Sequence, residues 1–138
     1  KWSAFDMPMW ARHYGVPFQR NPFFPVNTLA LMRGAAAAQI DGLFERYHSA
    51  IYKAMWVDGR NLNDIAEVAE VLTAVGLDAR KFGSRIQDQD VKDRLKATTD
   101  EAVARGVFGA PTSFVGDMMF FGNDRLPFVE MALKGELK

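Results

Sequence analysis

The stretch Gly106–Arg125, GVFGAPTSFVGDMMFFGNDR, holds the two runs of this chain that read with confidence as β-strand. TSFV and MMFF are short and apolar. Gly116-Asp117 between them fits a two-residue type II′ hairpin, with glycine at the first turn position. A two-stranded hairpin on its own is marginal in water, and its edges need partners. Helices of this chain, strands of another chain or strands outside this sequence must therefore complete it.

The rest reads as helix and turn. A helix from Met7 to Tyr14 places Trp10 and Tyr14 on one face, with Pro8 in its first turn. Gly15 ends it and Pro17 prevents its continuation. The loop VPFQRNPFFPVN, with three prolines and three phenylalanines, is too apolar for a flexible linker and is expected to pack into a groove. Asn27 or Thr28 caps the next helix, in which Gly34 and the four alanines after it make a thin face for close approach of a neighbour. Leu43 to Trp56 carries an i+4 stripe of Leu43, Tyr47, Ile51 and Met55. Asn63 is the expected cap of a helix to Val75, with Ile65, Val68, Ala69 and Leu72 inward. Asp78 caps a shorter helix reaching Asp88. A polar helix follows from Asp90 to Ala104, with Leu95 and Val103 among its few large apolar groups. The last helix, Asp124 to Leu133, is expected to turn Leu126, Val129, Ala132 and Leu133 inward.

Composition narrows the chemistry. The 138 residues make one ordinary domain, and a 49% hydrophobic content supports a core. Acidic and basic residues balance at 17 each, which gives no electrostatic reason to expect nucleic acid or an anionic membrane. No apolar run approaches the roughly 18–20 residues of a membrane span. No cysteine is present, so disulfides, thiolate metal sites and Cys-x-x-Cys redox chemistry are all excluded for this chain. The same absence fits a cytoplasmic setting. His13 and His48 belong to no metal motif, and no metal ligand is assigned.

Two positions flanking the hairpin carry chemistry. An X-Pro bond has only a modest trans preference, so Ala110–Pro111 can be held cis at small cost. That geometry turns the backbone N–H and C=O of Ala110 outward, where a peptide-like ligand can pair with them as an added strand. The competing use of Pro111 is a plain turn at a strand start. Beyond the hairpin, Gly122-Asn123-Asp124-Arg125 opens a helix. Its free N–H groups suit a carboxylate, and Asn123 can cap it. Simple capping is the competing use there. Two such anchors joined by a hairpin suit an extended zwitterionic peptide.

These residues also carry a resemblance. VFGAPTSFVGDMMFFGNDRLPFVEMAL is similar to the C-terminal signature of 2-hydroxychromene-2-carboxylate isomerases. These are relatives of kappa-class glutathione transferases and of the thioredoxin-fold disulfide oxidoreductases. DMPMWARHYGVPF, FPVNTLALMRGAAAA and AMWVDGRNLND resemble the same family. The resemblance implies an α+β, mostly helical fold. Residues 1–105 would be a helical domain inserted in a thioredoxin fold. Residues 106–138 would be its C-terminal half, a β-hairpin and helix. It implies glutathione as cofactor, with Ala110 and Pro111 at the cysteinyl part. Gly122, Asn123 and Asp124 would hold the γ-glutamyl end. The family's catalytic serine lies at a helix start before the region matched here. Ser3 is not its equivalent, so no catalytic residue is assigned.

The implied reaction is addition of the glutathione thiolate to a conjugated pyruvyl system, bond rotation and elimination, with glutathione regenerated. The implied setting is aromatic-compound degradation, with a small aromatic substrate and a homodimer. Trp10 and Phe24 are assigned to the substrate side, with Trp56, Phe18 and Phe23 near them; core packing is their commoner use. Asn27 is assigned to a substrate carboxylate or hydroxyl, with capping as its alternative. Lys1 is a candidate for the glycine end of glutathione. Arg33 reads equally as a buried anchor or a surface charge. A kappa-type transferase and a non-catalytic helical binding or dimerisation module are the alternative functions.

Overall fold

The computed structural model describes residues 3–137. The chain divides into two compact units, Lys1–Lys96 and Ala97–Lys138. The first holds α1 (Ser3–Tyr14), α2 (Leu29–Ile40), α3 (Phe44–Trp56), α4 (Ile65–Ala74), α5 (Ala79–Arg85) and the start of α6 (Gln89–Ala104). The second holds the end of α6, β1 (Thr112–Val115), β2 (Met118–Phe121), a 3₁₀ turn (Asn123–Arg125) and α7 (Leu126–Leu133). Among the described residues no helix is long and apolar enough to cross a membrane.

The core of the first unit forms where α2 and α3 meet. Small residues on α2 let this happen: Ala37 and Ala38 are fully buried, with Gly34 and Ala36 beside them. Tyr47 of α3 lies over Gly34, and its hydroxyl donates to the Leu31 carbonyl at 2.8 Å. A Cβ at residue 34 would collide with that hydroxyl and ring, so glycine is required despite its low helix propensity. The Tyr47 ring stacks on Phe82 of α5 at 5.2 Å. Burial pushes its phenol well above the usual tyrosine range, so it stays a hydrogen-bond donor.

The aromatic loop before α2 is pinned by one amide. Asn21 is 2% exposed. Its Nδ2 donates to the Met55 carbonyl at 3.0 Å and the Arg60 carbonyl at 2.8 Å, while its Oδ1 accepts from the Phe23 N–H at 2.8 Å. A buried amide with this many partners fixes the loop, because an apolar residue in its place would leave two carbonyls without donors. Phe18 and Phe24 then lie against Trp56, each with ring centroids 5.9 Å away.

The structure revises several expectations. α1 begins at Ser3, so Pro8 falls inside the helix instead of in its first turn. The missing proline N–H removes one i→i−4 bond there. The cap of α4 is Asp64, whose side chain accepts from the Ala66 N–H at 2.8 Å. Asn63 instead accepts from the Asn27 N–H at 3.0 Å. Ile65 is 76% exposed, because the helix starts with it and the buried stripe begins a turn later at Val68. α5 ends at Arg85, and α6 starts at Gln89. Its best-buried side chain is Val91, whereas Val103 is exposed. Leu126 and Leu133 are exposed on α7, and Ala132 is its buried residue.

An ionic cluster joins the end of α2 to α5 and α6. Arg85 reaches Asp88 at 2.7 Å, Asp90 at 3.0 Å and Asp41 at 3.4 Å, and Lys81 reaches Asp41 at 3.1 Å. The hydrogen bond from Lys81, helped by Arg85, holds the Asp41 carboxyl below its usual range. Arg85 does the same for Asp90.

Two outcomes follow. Gly34→Ala should lower stability by about 1–3 kcal/mol, because overpacking outweighs the helix-propensity gain. Urea unfolding measures it, and a neutral or stabilising result would contradict the packing described. The depressed carboxyls stabilise the fold fully above their unfolded value near pH 4 and lose that contribution as pH falls through their folded values. Arg85→Met should therefore flatten the acid limb of the stability profile, read as urea midpoints between pH 7 and pH 2.

Candidate functional site

In the second unit, β1 and β2 pair antiparallel with Thr112 opposite Phe121 and Val115 opposite Met118. Gly116 has φ 57°, and no other residue of the turn has positive φ, as a type II′ turn requires. Arg105, just past α6, lays its guanidinium over the Phe114 ring at 3.5 Å and donates to the Gly116 carbonyl at 3.4 Å. This cation–π contact ties the hairpin to the helix end. Nothing in the local pattern announces it, since Arg105 and Phe114 share no periodicity.

The register brings the two anchors together. The Gly122 N–H donates to the Pro111 carbonyl at 2.9 Å. Ala110-Pro111 and Gly122-Asn123-Asp124 therefore share the open end of the hairpin, although the whole hairpin separates them in sequence. The Ala110–Pro111 bond is cis. Ala110 is exposed, and among the described residues neither its N–H nor its C=O has a hydrogen-bond partner.

Glycines and one aromatic ring shape this end. The Phe121 ring crosses Gly109 so closely that a Cβ there would overlap it, and Phe108 packs on the same ring with centroids 4.6 Å apart. Thr112 Oγ1 donates to the Gly109 carbonyl at 2.7 Å, closing the turn before β1. Phe108, Gly109 and Phe121 are thus the platform behind Ala110, and sequence reading missed their role. Gly122 has φ 105°, and a Cβ on it would run into the Asp124 carboxylate. That carboxylate is exposed and pairs with Arg125 at 2.7 Å. Gly122 is the N-cap of the 3₁₀ turn and Arg125 that of α7, neither with a side-chain cap bond, so Asn123 lies within the turn and not at its N-cap.

The residues assigned to the substrate side lie in the first unit and do not converge. Trp10 on α1 stacks on Tyr14 and meets His13 edge-on, each at 5.5 Å. Phe24 leans on Trp56. Asn27 Oδ1 accepts from the Leu29 N–H at 3.2 Å, an Asx turn that starts α2. Of the three, Asn27 lines a cavity of about 340 Å³ between α2, α4 and α5. Arg33 is half-buried and lines it too. His48 sits between Phe44 and Tyr52, at 5.3 Å and 4.3 Å. Lys1 lies outside the described residues. Among the described residues no cluster of His, Asp or Glu could hold a metal ion.

Comparison with known proteins adds the following. The model of the DSBA-like thioredoxin domain matches residues 2–134. A 2-hydroxychromene-2-carboxylate isomerase of Sphingobium xenophagum is 34% identical over 133 residues, covering 93% of this chain and 65% of that protein. One from Pseudomonas putida is 31% identical, covering 93% of this chain and 62% of that protein. A glutathione S-transferase kappa 2 of Caenorhabditis elegans is 26% identical over 156 residues, covering 69% of that protein. A solved 2-hydroxychromene-2-carboxylate isomerase superposes with TM-score 0.79 at 26% identity, covering 97% of this chain and 65% of that one. The chain thus spans less than two thirds of the length of the isomerases it matches.

Gly122→Ala should cost about 1–2 kcal/mol, through its left-handed backbone and the crowding of Asp124. Urea unfolding gives the loss, and the Asp124 amide resonance should move. An unshifted resonance with unchanged stability would contradict the geometry described.

Proposed function

Because the chain belongs to the family of DSBA-like thioredoxin domains, we propose that it serves a glutathione-dependent isomerase of the 2-hydroxychromene-2-carboxylate type, acting in the breakdown of aromatic compounds. One observation carries this reading. The unpaired N–H and C=O of Ala110 stand at the same hairpin end as Gly122, Asn123 and Asp124. A tripeptide with a backbone at its centre and a charged γ-glutamyl end fits that pair of anchors. Ala110 would exchange two backbone hydrogen bonds with the cysteinyl residue. Asp124 would take the ammonium and release Arg125, a low-cost exchange because both side chains are exposed. The backbone of the 3₁₀ turn, from Asn123, would receive the carboxylate. When bound, glutathione supplies a thiolate nucleophile.

In this reading residues 1–105 are the helical domain and residues 106–138 the closing hairpin and helix of the thioredoxin domain. Trp10, Phe24 and Asn27 remain proposals for the aromatic substrate's side. The homodimer and the cytoplasmic setting belong to the same reading. The kappa relative supports a second reading, conjugation in place of isomerisation.

Calorimetric titration of the chain with glutathione tests the cradle. Binding is expected, and Asp124→Ala should weaken it by a factor of about ten. Binding that Asp124→Ala leaves unchanged would overturn the assignment. An assay with 2-hydroxychromene-2-carboxylate separates the two reactions, since an isomerase leaves total glutathione constant and a transferase consumes it.

A further inference from the structure

The cavity between α2, α4 and α5 lies wholly within the first unit and owes nothing to the hairpin. Its volume, about 340 Å³, falls at the lower end of small-ligand pockets. The floor is Leu31, Leu72, Tyr47 and Phe82, all buried. Leu29 and Ile65, two large apolar side chains that line the cavity, are both exposed. Tyr47 and Phe82 already use their ring faces on each other, so the free lining is mainly branched aliphatic.

The polar groups left over there are mostly donors. Arg33 lines the cavity, and among the described residues no acidic side chain pairs with it. Asn27 and Asn63 spend their Oδ1 atoms on the Leu29 and Asn27 N–H groups, and among the described residues their Nδ2 donors have no protein acceptors. The Tyr47 hydroxyl spends its proton on Leu31. An apolar hollow whose one charge is an unpaired guanidinium, flanked by amide donors, is complementary to an apolar anion.

We propose that this cavity binds a small aliphatic carboxylate, its chain against Leu31, Leu72 and Phe82 and its carboxylate on Arg33. The proposal does not rest on glutathione binding, and it shares Asn27 with the substrate-side residues of the isomerase reading. Octanoate and its uncharged counterpart 1-octanol are the probes, titrated into the full chain by calorimetry. Octanoate should bind about tenfold more tightly than 1-octanol, and Arg33→Gln should erase that difference. Gly83→Leu supplies the steric control. Gly83 lines the cavity from an exposed position, and a Cβ there meets no atom within 4 Å, so a larger side chain is accommodated without a clash at its Cβ. The substitution should weaken binding of both probes alike while the unfolding temperature stays the same. Octanoate and 1-octanol binding equally to the unaltered chain would overturn the proposal. So would an octanoate preference that survives Arg33→Gln, or no octanoate binding at millimolar concentration.

Discussion

The hydroxyl of Tyr47 reaches the Leu31 carbonyl only because residue 34 has no side chain, and much of the first unit follows from that contact. It sets how closely α3 approaches α2, with Ala37 and Ala38 fully enclosed. The hydrogen bond contributes only about 1 kcal/mol net, but an unpaired phenol in the same place would cost more. Once the Tyr47 ring is fixed, Phe82 stacks on it and positions α5. The cavity borders the same residues, Gly34, Tyr47 and Phe82. A thin helix that brings one neighbour close leaves space beside the thick side chain that crosses it.

The hairpin works by a different logic. Its strands carry little burial: β1 is half-buried along its length, and β2 is mostly exposed. Its function in the proposed reading is geometric. Pairing Thr112 with Phe121 brings two chemically different anchors to one end. One is a backbone donor and acceptor pair, the other a short turn with a carboxylate. Gly109 and Gly122 are both needed because side chains already occupy the space where their Cβ atoms would lie.

Local signals were legible where the chain itself enforces them. The strands and their Gly116-Asp117 turn follow from two apolar runs and one glycine. The thin face of α2, the Tyr47, Ile51 and Met55 stripe, and the Asp78 cap followed from periodicity and capping chemistry. Ile65 and Leu133 were misplaced because periodicity assigns a face without saying how far along the helix a neighbour covers it. Asn21 gave no warning, since an asparagine before proline reads as a turn and its partners lie 34 and 39 residues away. The convergence of Ala110 with Gly122 depends on strand register, which the sequence pattern supports but does not display. Asp64 displaced Asn63 as cap, because neighbouring Asn and Asp residues compete for one role and tertiary hydrogen bonds decide between them.

The buried amide of Asn21 also bears on how the protein ages. Spontaneous loss of an asparagine amide proceeds when the next residue's backbone nitrogen attacks the side-chain carbonyl and closes a cyclic imide. Residue 22 is proline, whose nitrogen carries no hydrogen in the chain and cannot close that ring. Conversion to aspartate would turn a carboxylate toward the Met55 and Arg60 carbonyls in a buried site, replacing two attractions with two repulsions. The residue that locks the aromatic loop is thereby shielded from the commonest chemical damage of its kind, and the shield is the adjoining proline.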